Sequence, residues 1–152
     1  MLIRRQRMER GIAAMQAQNV DMWIALGRDV QHKGEPMLRY LLTFEMGGPV
    51  AVIFTKEGKR YAINAPLESE ELEAMGLFDQ VFVNPNGYEG IKDIIADLIR
   101  QEKPKVIALN YSDKDVTSDG LSFTCYKVLM DAFQRAGFDG QVISSQMLMK
   151  YL

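Results

Sequence analysis

Apolar and polar positions along this chain follow two rhythms. Residues 22–26, 50–54 and 106–109 are continuous apolar runs bounded by polar or turn residues, the pattern of short strands covered on both faces. Residues 81–83 are a shorter run of the same kind, and Gln141 to Ile143 predicts a last short strand. Residues 59–63 carry Lys59 and Arg60, which points to a strand nearer a sheet edge, and the turn 55–58 ending in Gly58 joins it to the run before as a hairpin.

Between these runs the period lengthens to that of a helix. Met8, Ile12 and Met15 predict a helix over residues 2–18 closed by Asn19, and Pro36 opens a short one. Pro66 with Glu68, Glu70 and Glu71 marks another start, stopped at Gly76. Ile91, Ile94, Ile95 and Leu98 form the cleanest apolar stripe, behind an Asn86–Glu89 pair at capping-box spacing. A long helix ends before Gly137, with Ser118 or Asp119 as its expected N-cap; Lys127, Asp131, Gln134 and Arg135 make one polar stripe on an otherwise apolar surface. Ser144-Ser145 introduces a last helix expected to run from 146 to 152. The alternation predicts one α/β domain over residues 1–152. Its expected form is a three-layer, mixed, mostly parallel sheet with helices on both faces.

Composition changes this picture little. With 47% hydrophobic and 25% charged residues, the chain can bury a core. A net charge of -2 and a pI near 5.5 argue against a nucleic-acid partner. The acidic balance therefore makes Arg4, Arg5, Arg7 and Arg10 a solvated face or a contact to another domain. The single cysteine, Cys125, excludes an internal disulfide and fits a reducing compartment. No run has the length of a membrane span and the first residues do not form a signal peptide, so the expectation is a cytoplasmic protein with no membrane partner.

Candidate chemistry is sparse. There is one histidine, His32, and no clustered ligand set for a metal. Ser122 lacks the second glycine of a nucleophile elbow, and Cys125 falls on an apolar helix face. Gly47-Gly48 precedes a strand rather than a helix, so it reads as a turn. The polar loop 27–35 is the best candidate. Arg28 could hold a carboxylate in bidentate fashion, His32 could titrate near neutrality, and Asp29 could simply pair with Arg28.

Several short motifs carry a family resemblance. They are Val20-Asp21-Met22-Trp23-Ile24, Gly27-Arg28-Asp29, Leu38-Arg39-Tyr40-Leu41 and Gly76-Leu77-Phe78-Asp79, then Ile107-Ala108-Leu109-Asn110-Tyr111-Ser112, Asp119-Gly120-Leu121-Ser122, Tyr126 and Ser144-Ser145. In this order and spacing the chain resembles the N-terminal domain of creatinase, prolidase and Xaa-Pro aminopeptidases. The resemblance implies a ribonuclease-H-like motif with an antiparallel second strand. It also implies a non-catalytic role beside a C-terminal "pita-bread" domain absent from this chain, in which two Asp, one His and two Glu hold two divalent metals, manganese in the expected case. No residue here matches those ligands. Residues 22–26 contain no acid, so nuclease activity does not follow from the fold.

The implied partners are the chain's own catalytic domain and further copies in a homo-oligomer. Arg28, Asp29 and His32 would border a substrate site. The stretch around Gly47 to Val50 departs from creatinase, which favours a peptidase over a creatine substrate. A stand-alone protein-binding module, as in a related histone chaperone, is the alternative, and a small-ligand domain using the Arg28 loop is a third.

Overall fold

The computed structural model describes residues 1–28, 34–42 and 47–152. Its six strands are β1 (Met22–Gly27), β2 (Val50–Thr55), β3 (Arg60–Asn64), β4 (Gln80–Val83), β5 (Val106–Leu109) and β6 (Gln141–Ser144). Its α-helices are α1 (Leu2–Gln18), α2 (Pro36–Leu41), α3 (Ser69–Ala74), α4 (Gly87–Glu102), α5 (Phe123–Ala136) and α6 (Gln146–Met149).

The strands form one sheet in the order β4-β3-β2-β1-β5-β6. Only β2 runs against the rest: it is antiparallel to β1 and β3, while the β1–β5, β3–β4 and β5–β6 pairs are parallel. The sheet is thus mixed and mostly parallel, and β3-β2-β1-β5-β6 is a ribonuclease-H-like motif extended by β4. Strand β3 lies one place in from the edge that β4 forms. No described helix is long and apolar enough to cross a membrane.

Successive side chains of a strand point to opposite faces, so the unbroken apolar runs serve two cores at once. Trp23, Ala25, Val52 and Phe54 face α1, α2, α3 and α6. Met22, Ile24, Leu26 and Ile53 face α4 and α5. All eight are fully buried. At the amino ends of the strands, Asp21 Oδ2 accepts from the backbone N–H groups of Lys105 and Val106, both at 2.9 Å. Its Oδ1 meets Lys56 Nζ at 3.0 Å. These bonds pin β5 to β1.

Three of the α1 arginines also serve the domain itself. Arg5, Arg7 and Arg10 donate to the carbonyls of Gly76, Tyr40 and Tyr151 at 3.1, 2.8 and 3.0 Å. These carbonyls lie in or just past the last turns of α3, α2 and α6, where helices leave acceptors unsatisfied and favour cations. Helix α6 stops at Met149 rather than at 152. Leu152 instead packs beside Gly11 and Trp23.

Two expected caps are also displaced. Asn86 makes no side-chain cap, because Gly87 takes a left-handed φ of 60° and Glu89 is drawn into ion pairs with Lys92 and Arg135. The N-cap of α5 is Ser122 rather than Ser118 or Asp119: its Oγ accepts from Cys125 N–H at 3.1 Å. The other two side chains are used in the loop, Ser118 donating to Asp115 and Asp119 accepting from Ser112 N–H. The polar stripe of α5 is partly an interhelix device, since Asp131 pairs with Lys92 and Arg135 pairs with Glu89 and Asp93 of α4. Replacing Ser122 by Ala is expected to cost about 1 kcal/mol in chemical unfolding, the usual value of a lost N-cap.

Candidate functional site

In a sheet of this kind a ligand crevice forms beyond the carboxyl ends of the strands where the chain's direction of travel diverges. Here that point lies between β1, whose chain continues through α2 to β2 on one side, and β5, whose chain continues to β6 on the other. A cavity of about 200 Å³ opens there, lined by Gly27, Arg28, Gly34, Glu35, Tyr88, Gly120, Ser122 and Cys125.

Arg28 follows β1 directly and lies exposed on this cavity. Burial pushes the Tyr88 phenol up, the Cys125 thiol beside it adds to this, and the Arg28 cation opposes it. Of the three residues singled out from the sequence, Arg28 is therefore on the crevice. Asp29 and His32 lie outside the described residues.

The centre of the site is a residue the sequence reading passed over. Glu35 is 3% exposed. Its Oε2 accepts from Leu38 N–H at 3.1 Å, capping α2, and its Oε1 accepts from Asn110 Nδ2 at 3.0 Å. Asn110 Oδ1 in turn accepts from Trp23 Nε1 at 2.7 Å and from the Ser145 hydroxyl. A buried chain of polar groups thus links the start of α2 to the carboxyl ends of β1, β5 and β6. Two glycines make room for it: a Cβ on Gly27 would stand 2.8 Å from Glu35 Cβ, and one on Gly120 only 2.4 Å from Pro36 Cδ and 2.6 Å from Glu35 Oε1. The signal available in the sequence was Glu-Pro at a helix start, with Pro36 at N1 and an acid in the capping position.

The crevice has polar groups of both signs. Among the described residues, no three His, Cys, Asp or Glu side chains are grouped as metal ligands. The described residues do not make up a dimetal centre, and no hydrolytic step is assigned to them.

No family model matches the sequence, and no curated relative does. Solved structures do match its fold. An Xaa-Pro aminopeptidase (aminopeptidase P) from Streptococcus thermophilus aligns over 97% of this chain and 97% of its own, at 18% identity and a TM-score of 0.64. The Xaa-Pro dipeptidase from Bacillus anthracis aligns over 94% of this chain at 15% identity and a TM-score of 0.63, and the N-terminal domain of FACT complex subunit SPT16 from chickpea over 98% at 12% and 0.69. The fold is that of a creatinase/prolidase N-terminal domain. A chain with this fold spans about a third of the dipeptidase, 34% of its length, and 37% of the chickpea chain. At such identities the likeness concerns the creatinase/prolidase-type architecture alone.

Burial drives the Glu35 carboxyl from an ordinary 4.5 up to about 7, against the opposing hydrogen bonds from Leu38, Asn110 and Met37. A raised carboxyl pKa means that the folded chain keeps its proton to higher pH than the unfolded one. The stabilisation is complete below about pH 4.5 and is lost as pH rises through about 7. At about 1.4 kcal/mol per pH unit the loss is roughly 3 kcal/mol. Chemical unfolding at acid and at alkaline ends of that window is expected to show it, with the Glu35→Gln variant lacking this component. Gly120→Ala is expected to destabilise by about 1–3 kcal/mol in the same assay, as overpacking does.

Proposed function

We propose that this chain is the non-catalytic N-terminal domain of a proline-directed dimetal peptidase, an Xaa-Pro aminopeptidase or dipeptidase, in which it serves assembly and access to the active site. The observation that supports this reading is the whole-chain fold likeness to domains of Xaa-Pro peptidases, including structures of N-terminal domains alone from Mycobacterium tuberculosis PepQ and a Lactobacillus brevis Xaa-Pro dipeptidase. In this reading the two metals, manganese by resemblance, sit in a separate C-terminal domain. The enzyme is a cytoplasmic homo-oligomer, and neither nucleic acid nor a membrane is a partner.

The surface offered to the rest of such an enzyme is the uncharged flank of α5. Phe123 is 77% exposed, and with Tyr111, Leu121, Tyr126 and Val142 it lines an open cleft of about 510 Å³. Arg28, with Asp29 and His32 beside it in sequence, would border the substrate where the crevice meets the catalytic domain. An Arg28 guanidinium there suits a peptide carboxylate.

A second reading is a stand-alone protein-binding module of the same fold. Its support is the TM-score of 0.69 to the SPT16 domain, above the 0.63 and 0.64 of the two peptidases. The two readings separate in the source gene. The peptidase reading expects the frame to continue past Leu152 for about twice this chain's length, with two Asp, one His and two Glu as metal ligands. A stop codon there would overturn it. The purified 152-residue chain is expected to cleave no Xaa-Pro peptide with or without manganese, and metal-dependent turnover would overturn both readings.

A further inference from the structure

Beyond domain identity, the buried polar chain has a property of its own. The indole N–H of Trp23 can only donate, so the Asn110 side chain must turn its oxygen toward Trp23 and its nitrogen toward Glu35. The hydroxyl of Ser145 donates to the same oxygen and holds the amide in that orientation. Both Glu35 oxygens therefore face donors, Leu38 N–H and Asn110 Nδ2. This arrangement suits a carboxylate, whereas almost complete burial suits the neutral acid. Neither state satisfies both demands. A proton arriving on Glu35 finds no acceptor in its hydrogen-bonded partners.

We propose that the Glu35–Asn110–Trp23–Ser145 chain is a proton-responsive coupling, in which the charge state of Glu35 at the crevice sets the hydrogen bonding at the carboxyl ends of β1, β5 and β6. The upward displacement of the Glu35 carboxyl to about 7 puts the transition near neutrality.

Among the described residues, the other titratable or charged groups on the cavity are Arg28 after β1, Tyr88 on α4 and Cys125 on α5. On α2, Arg39 is exposed. In the loop after β5, Asp113 and Lys114 are exposed, Asp115 is held by Thr117 and Ser118, and Asp119 by Ser112. Asp29, His32 and Lys33 precede Glu35 in the chain and lie outside the described residues.

Trp23 is the single tryptophan, so its indole N–H resonance and its fluorescence report on one position. In the full chain, followed from about pH 5 to about pH 9, both are expected to titrate with a midpoint near about 7. The change should vanish in Glu35→Gln and survive in His32→Gln. A Trp23 signal that does not move with pH overturns the coupling. So does a titration that persists in Glu35→Gln, which would place the proton on another group such as His32. Should Glu35→Gln fail to fold, the ¹³C resonance of the Glu35 carboxyl in the unaltered chain decides: matching midpoints for carboxyl and indole support the coupling, and different ones overturn it.

Discussion

The hydrogen bond from Trp23 Nε1 to Asn110 Oδ1 is the constraint on which the upper half of this fold depends. Trp23 is the largest of the fully buried side chains, and it carries a donor that must be satisfied wherever the ring is placed. Putting the ring in the core beneath α1 brings that donor to the end of β5, where Asn110 is also buried. Satisfying one polar group then obliges the next. The remaining amide nitrogen of Asn110 needs an acceptor, Glu35 supplies it, and the second oxygen of Glu35 caps α2. Core packing, sheet geometry and the position of a helix are linked through four side chains.

The same logic explains why the glycines around the site are tight rather than flexible. Gly27 and Gly120 do not have the positive φ that marks a turn glycine; they stand where a side chain would collide with Glu35 or Pro36. The backbone of two loops is thus drawn against a buried carboxyl. At the opposite end of the strands Asp21 does comparable work in a more exposed setting, accepting from two backbone N–H groups and pairing with Lys56. The sheet is clasped at both ends of the β1–β5 pair, where its chain connections diverge.

How much of this was legible in the sequence depends on the range of the interaction. Among the described residues, all six strands and all six α-helices are signalled by local pattern, because an apolar run or a 3.6-residue stripe is written in neighbouring residues. The hairpin predicts the reversal of β2, and Pro36 marks the start of α2 where it occurs. What misled was polar chemistry with more than one use. Ser118, Asp119 and Ser122 are all plausible caps in sequence; the choice falls on Ser122 because the other two are engaged within the loop. Arg5, Arg7 and Arg10 look like a solvated row until three helix ends, as far as 141 residues away, are folded against them. The Glu35–Asn110 contact spans 75 residues, and no periodicity signals a pair at that distance. Arg28 was accessible to reasoning because its place after β1 follows from topology alone.

The distinction between scaffold and chemistry bears on what a shared fold can mean here. Structures described as Xaa-Pro peptidases and one described as part of the FACT complex superpose on this chain over more than nine-tenths of its length, although none exceeds 18% identity among those compared. A double core under an RNase-H-like sheet tolerates such divergence because it requires only apolar volume and strand periodicity at most positions. The features of this chain that lie outside that requirement are few. They are a buried acid at the strand ends, a cation on the same cavity, and an aromatic flank on α5 that the domain's own core leaves uncovered. A fold alone would not place any of them. They gather at the carboxyl side of one sheet, whereas Arg5, Arg7 and Arg10 of α1 are spent on helix ends.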